Sequence, residues 1–153
     1  MKAKFIVFIL FVFLGISIFS QEEKAQVKRG EQIFLQANAA KDAEEYEKAF
    51  ELYRKAANLG NAEACFELSS CYRNGIGVEE DISKGVELLK LAAQKDSVAA
   101  LLTLGMWHDG GFEPCNIPDD KAKSKKYLER VLLLDFASDG AKELANRLLK
   151  KFE

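Results

Sequence analysis

Part of this chain repeats itself after 36 residues. When residues 46–75 are shifted by 36 onto residues 82–111, eight of the thirty positions carry the same residue, whereas random matching at typical compositions gives about two. The shared positions are Lys48/Lys84, Glu51/Glu87, Leu52/Leu88, Ala56/Ala92, Ala57/Ala93, Ala64/Ala100, Leu68/Leu104 and Gly75/Gly111. A weaker copy, displaced by 39, pairs Asp81 with Asp120 and Leu89 with Leu128. A repeat of this length predicts a solenoid.

Each unit shows two stripes of apolar residues at helical spacing. Residues 43–59 carry the clearest stripe, and similar stripes cover 22–41, 62–73, 82–93, 98–108, 121–135 and 138–152. Gly60 and Asn74-Gly75-Ile76-Gly77 are typical helix ends, while Asn61 and Asp81 are typical N-caps. No segment alternates as a half-buried strand does. We therefore predict an all-α fold, a right-handed α/α solenoid with hairpins at about 22–59, 61–96 and 97–135 and a capping helix at 138–152.

The first twenty residues have the order of a secretory signal peptide. Lys2 and Lys4 precede an apolar run from Phe5 to Phe19, and the chain turns polar after Ser20. The alternative is a retained membrane anchor, but a spanning helix needs about 20 apolar residues, and the run has fifteen. We expect residues 1–20 to be cleaved and residues 21–153 to form one repeat domain, exported to the periplasm or secreted, without a stable membrane anchor.

The charge balance argues against a nucleic-acid partner. The chain has 22 basic and 24 acidic residues, and loss of the predicted signal removes two lysines. A mildly acidic chain with interspersed charges lacks the basic face that nucleic acids require. Both prolines, Pro114 and Pro118, lie in one loop, and the rest has a helical composition.

Small residues recur where neighbouring helices should cross. They are Ala56, Ala57, Ala64, Ala92, Ala93 and Ala100. Alanine lets helix axes approach closely, while larger residues such as Tyr53, Leu68 and Leu89 fill the wider gaps. A single hairpin cannot bury its apolar face alone, so the hairpins are expected to stack.

The segment Lys55-Ala56-Ala57-Asn58-Leu59-Gly60-Asn61-Ala62-Glu63-Ala64, followed by Leu68, Tyr72, Gly75-Ile76-Gly77-Val78, Asp81 and Lys84, closely resembles the Sel-one-like repeat, a relative of the tetratricopeptide repeat. The resemblance is strong over 44–96 and weaker over 97–135, where His108 replaces the usual tyrosine. Residues 22–43 look more like a tetratricopeptide first helix. The resemblance implies an adaptor or scaffold with a protein or peptide partner.

In helical-repeat binders of this kind the first helix of each hairpin lines the concave surface. Applied to this sequence, the resemblance places on that surface Glu31, Phe34, Asn38, Lys41, Glu63, Phe66, Ser70, Arg73, Ala99, Leu102, Met106 and Asp109. Of these, the expected partner-binding residues are Phe34, Asn38, Lys41, Glu63, Phe66, Ser70, Arg73, Leu102 and Met106. Phe34, Phe66 and Leu102 would form an apolar row for a peptide, with Arg73 as a clamp at its end. The alternative is that the solenoid curls enough to bury these side chains.

Three cysteines, Cys65, Cys71 and Cys115, are too few for a disulfide framework. Cys65 and Cys71 are about 9 Å apart along one helix, beyond the reach of a disulfide. Cys71 lies near the end of one first helix and Cys115 lies in the loop after the neighbouring one, so these two could pair. A cysteine-rich secreted branch of the family places cysteines where this chain has Ala57 and Cys65, so that staple is absent.

Some members of that branch are labelled β-lactamases or penicillin-binding proteins, which makes a β-lactamase-like or cell-wall-peptide hydrolase an alternative function. A purely structural envelope component is another. No serine begins Ser-x-x-Lys, and no nucleophile-elbow, zinc-protease or phosphate-loop motif occurs. His108, Asp109, Cys115, Asp119 and Asp120 gather ligand-type side chains, but without a recognised zinc spacing. We expect no catalytic residues, no metal and no cofactor.

Overall fold

The computed structural model describes residues 21–152 in full, and the predicted signal peptide at residues 1–20 lies outside this range. The helices are α1 (Lys2–Asp42), α2 (Tyr46–Asn58), α3 (Ala62–Asn74), α4 (Ile82–Gln94), α5 (Val98–His108), α6 (Lys121–Leu133) and α7 (Asp139–Leu149). Short 3₁₀ turns cover Glu113–Cys115 and Lys150–Phe152. Between residues 21 and 152 there is no strand, and no helix is both long and apolar enough to span a membrane.

The helices form three hairpins that stack in chain order. Helix α1 packs on α2, α3 on α4 and α5 on α6, and α2 and α4 also contact the first helix of the next hairpin. Helix α7 packs on α6 and α5 and closes the C-terminal end. The predicted all-α solenoid of three hairpins with a capping helix is confirmed.

Side-chain caps begin the helices at the predicted positions. The Asn61 side chain accepts a hydrogen bond of 2.7 Å from the Ala64 amide, and Asp81 accepts one of 2.9 Å from the Lys84 amide. Asp120 makes the same contact in hairpin three, at 3.0 Å. Each cap satisfies an amide that would otherwise lack a partner in the first turn, which fixes where each helix starts.

Buried side chains form two clusters, one on each side of hairpin two. The cluster between hairpins one and two contains Tyr53, Ala56, Ala64, Leu68 and Cys71. The cluster between hairpins two and three extends to α7 and includes Cys65, Leu89, Leu101, Leu104, Leu128, Val131 and Ala145. All the predicted crossing alanines are buried except Ala57, which is partly buried. Hairpin two therefore contributes to both clusters.

The turn of hairpin two reaches back to hairpin one. Gly77 has a φ of 69°, a left-handed conformation that glycine adopts without strain. A Cβ added there would overlap the backbone carbonyl oxygen of Tyr46. The absence of a side chain at residue 77 thus lets this turn pack directly on the start of α2.

Candidate functional site

The expected apolar row lies on the first helices and is half-buried. Phe34 on α1 packs against the cluster between hairpins one and two, with its ring centroid 5.9 Å from that of Tyr53. Phe66 on α3 and Leu102 on α5 pack against the other cluster. Each side chain keeps part of its surface in contact with solvent. The burial of these three side chains is therefore intermediate between the two arrangements that were open from the sequence, exposure on the concave surface and burial by a tightly curled solenoid.

The side chains that project from α1, α3 and α5 are called the first-helix face here, and two of its predicted polar members make bonds within the protein. The Tyr53 hydroxyl donates a 2.7 Å hydrogen bond to the Asn38 side-chain oxygen. Lys41 on α1 pairs with Glu67 on α3 at 3.1 Å, which links hairpins one and two across this face. Burial, with a smaller contribution from the Glu67 charge, raises the pKa of Tyr53, so the hydroxyl keeps its proton and acts as a donor.

Glu63 joins hairpin two to hairpin three. Its carboxylate accepts a 3.0 Å hydrogen bond from the Ser97 hydroxyl and a 3.2 Å bond from the Val98 amide at the start of α5. Burial raises the pKa of Glu63, while these two hydrogen bonds act in the opposite direction. Glu63, which was predicted to bind a partner, thus accepts hydrogen bonds from the next hairpin of the same chain.

Arg73 is held between three elements. Its side-chain stem occupies the space above Gly85 on α4, where a Cβ would overlap the Arg73 Cγ. Its guanidinium carbon lies 4.8 Å from the centre of the Trp107 ring, and Nε donates to the Ser69 hydroxyl at 3.3 Å. Trp107 itself stacks on Phe112 at 4.5 Å. A cation over an aromatic ring is an attractive arrangement, so Arg73 has a structural contact in addition to its predicted role as a clamp.

Met106 and Ser70 are the other predicted members of the face. Met106 on α5 is 43% exposed, more than any other apolar residue of the predicted set. Ser70 on α3 is half-buried, and its hydroxyl accepts a 3.2 Å hydrogen bond from the Asn74 side chain. Met106 is therefore the member best placed to touch a partner without disturbing the core.

The ligand-type residues around His108 have structural partners. The buried His108 ring stacks on Tyr127 at 5.8 Å, and its Nδ1 lies 3.1 Å from the Pro118 carbonyl oxygen. Asp109 pairs with Lys151 at 2.9 Å, Asp119 accepts from the Gly110 amide at 3.1 Å, and Asp120 caps α6. Within the described residues, no three histidine, cysteine or acidic side chains are arranged to hold a metal ion.

A family model described as "Sel1 repeat" matches three consecutive segments of the chain, residues 38–61, 62–97 and 98–130. The chain belongs to the Sel1 repeat family. The first matched repeat begins inside α1, and α7 lies beyond the last one. The matches agree with the helices, because the second and third repeats each open at the start of a first helix.

Curated Sel1-type relatives are much longer proteins. The chain is 28% identical over 97 residues to the ERAD-associated E3 ubiquitin-protein ligase component HRD3B of Arabidopsis thaliana, covering 63% of this chain and 16% of that protein. It is 33% identical over 90 residues to the chitin synthase regulator SKT5 of Saccharomyces cerevisiae, covering 57% and 13% respectively. The chain thus spans less than a fifth of these relatives.

Two solved structures share the Sel1 repeat fold. A Sel1 repeat protein from Oxalobacter formigenes superposes with a TM-score of 0.61 at 20% identity, covering 75% of this chain and 43% of that one. The protective antigen c5321 of uropathogenic Escherichia coli gives a TM-score of 0.63 at 23% identity, covering 80% and 26%. At these identities the likeness establishes the fold alone.

The three cysteines of this Sel1 repeat protein are free thiols. The pairing considered between Cys71 and Cys115 is not formed, because Cys71 is buried between hairpins one and two whereas Cys115 packs against the cluster of hairpins two and three. Burial raises the pKa of Cys71 to about 11 and also raises that of Cys65. Since the thiolate is the reactive form, these two cysteines are packing residues.

Proposed function

We propose that this chain is an exported adaptor or scaffold that binds a protein or peptide on its first-helix face, the surface formed by the side chains projecting from α1, α3 and α5. Sel1 repeat proteins generally mediate protein–protein interaction. The relatives named above include a component of a ubiquitin-protein ligase and a regulator of chitin synthase. Family membership supports the adaptor role.

The observation that carries the proposal is that the half-buried Phe34, Phe66 and Leu102 lie one on each first helix, with the exposed Met106 on α5 as well. Side chains anchored in a core lose little conformational freedom when a partner covers them, so their contact with an apolar ligand is favourable. One of these three side chains lies on each first helix. A peptide lying across the helices would meet one apolar side chain from each hairpin.

Photo-crosslinking on the first-helix face tests the binding surface. A photoreactive phenylalanine analogue replaces Met106, and the matched control carries it at Ile82 on α4, which is 37% exposed. After irradiation of cells that produce the protein, we expect a discrete protein adduct from position 106 and none from position 82. Adducts at both positions, or at position 82 alone, would contradict binding on the first-helix face.

Export is supported by the order of charge, apolar run and polar boundary in residues 1–20. The test is mass spectrometry of the intact protein recovered from its own cells and from their medium. We expect the mature chain to begin at Gln21 and to be absent from the cytosolic fraction. A cytosolic product that still starts at Met1 would rule out export while leaving the binding experiment unaffected.

A further inference from the structure

A groove of about 400 Å³ lies between α4 and α6, on the side of the solenoid formed by the second helices. Both helices pack on α5, and the space between them is left open above that helix. We call this the basic groove, because Lys90 of α4 and Lys126 and Arg130 of α6 line it. It is separate from the first-helix face.

The charges of the basic groove are unbalanced. No carboxylate is among its lining residues. The Arg130 guanidinium is already bonded to Asp96, with Nη2 3.0 Å from a carboxylate oxygen. Lys90 and Lys126 are exposed, and neither forms an ion pair with any described residue. Two lysines are thus available to an anionic ligand from opposite walls.

The floor of the groove is apolar and fixed. Ala93 and Leu101 are buried beneath it and support it from below. The half-buried Tyr127 supplies the accessible apolar surface of the floor, and its ring stacks on His108 with an interplanar angle of 15°. A rigid apolar floor between cationic walls favours a ligand that carries an apolar group together with negative charge.

We propose that the basic groove binds an acidic amphipathic segment of a protein partner, with carboxylates at Lys90 and Lys126 and an apolar side chain on the floor. This second docking surface goes beyond the proposed function and does not depend on it. An adaptor with one binding surface on its first helices and another between α4 and α6 holds two ligands at once.

Charge and shape favour a protein segment over other anions. Residues 61–133, which include both walls and the floor, contain twelve acidic and nine basic residues, so the positive charge of the groove is local and does not continue into the extended basic surface that a nucleic acid requires. A membrane surface is nearly flat and does not reach a floor recessed between two helices. A short protein segment with local negative charge matches the charge of the groove and is narrow enough to reach its floor.

The experiment measures fluorescence anisotropy of a fluorescein-labelled peptide that repeats Glu-Glu-Leu, with the repeat Gln-Gln-Leu as the neutral probe. The purified chain is compared with the double variant Lys90→Glu/Lys126→Glu. The control, Lys28→Glu/Lys55→Glu, makes the same change in net charge with exposed lysines of hairpin one. We expect the wild type and the control to bind the acidic peptide, and the groove variant to bind about tenfold more weakly or worse.

Circular dichroism and thermal unfolding show whether the groove variant is folded. We expect it to fold, because both substituted lysines are exposed. Equal binding by the groove variant and the control would overturn the proposal. So would equal affinity for the neutral probe, or no binding of the acidic peptide at low salt. Binding to phosphatidylglycerol vesicles without binding to the peptide would assign the groove to a lipid surface and also overturn it.

Discussion

Glu63 accepts a hydrogen bond from Ser97, 34 residues further along the chain, so that a carboxylate of one hairpin holds the start of the next. Ser97 in turn caps α5 by accepting from the Ala100 amide at 3.2 Å. The two bonds form a short network at the boundary between hairpins two and three. Glu63 shares α3 with Phe66, and Val98 shares α5 with Leu102, so this network helps to fix the placement of Phe66 relative to Leu102.

The Glu63 network predicts a particular pH dependence of stability. Since folding raises the pKa of this carboxyl above its usual value of 4.5, the folded state binds the proton more tightly than the unfolded state does. The contribution of Glu63 to stability is therefore complete below pH 4.5 and is lost as the pH rises through the folded pKa. Urea unfolding at several pH values should show that the free energy of unfolding of the wild type falls relative to that of Glu63→Gln as the pH rises.

The same comparison with Glu87→Gln, an exposed glutamate of α4, controls for the removal of any one acidic residue. The free energies of unfolding of the wild type and Glu63→Gln are compared at each pH. If their difference stays constant, or if the wild type gains stability relative to Glu63→Gln as the pH rises, the raised pKa of Glu63 would be contradicted.

Gly77→Ala should destabilise the fold by more than about 1 kcal/mol, because the new side chain meets both a left-handed φ and the Tyr46 carbonyl. Gly60→Ala is the matched control, since Gly60 has a φ of 89° but nothing within 4 Å of the added Cβ. Thermal or urea unfolding measures both. Equal losses for the two variants would mean that backbone strain alone, and not the approach to α2, determines the cost.

Arg73→Gln should lower the free energy of unfolding by about 0.5–2 kcal/mol through loss of the contact with Trp107. Trp107 is the only tryptophan in the chain, so its emission reports on this contact directly and should shift in the folded variant. Arg54→Gln is the control. Arg54 is exposed and pairs with Glu51 in its own helix, and such pairs contribute little. An unchanged emission spectrum in Arg73→Gln would argue against the stacked geometry.

Ala64→Leu should cost about 1–3 kcal/mol, because Ala64 is fully buried where hairpins one and two cross. Ala39→Leu places the same enlargement on the exposed side of α1 and should be close to neutral. Urea unfolding of both variants makes the comparison. If Ala64→Leu were also neutral, the close stacking of the hairpins at this alanine would be in doubt.

Sequence patterns predicted the helices, the caps and the crossing alanines because these depend on local spacing. The stripe of α2, the caps Asn61 and Asp81 and the buried Ala64 all follow from residues within a few turns of each other. The 36-residue repeat then predicts the stacking, because only repeated hairpins bury each other's apolar faces.

The side-chain contacts between hairpins could not be predicted from the sequence alone. The Lys41–Glu67 pair and the Glu63 bonds to Ser97 and Val98 depend on the offset between neighbouring helices, which sequence spacing does not encode. The same is true of Arg73 above Gly85, although a glycine inside an otherwise regular helix is a signal of close approach. The half-buried state of Phe34 depends on how tightly the hairpins curl.

Helix α3 lies between two separate clusters of buried side chains, contributing Ala64 and Leu68 to one and Cys65 to the other. Consecutive residues of a single helix thus anchor both halves of the molecule. Disturbance at the C-terminal end reaches hairpin one through hairpin two, chiefly through this helix. The chain is therefore expected to loosen from its ends inward, and the loss of α3 would separate the two halves of the molecule.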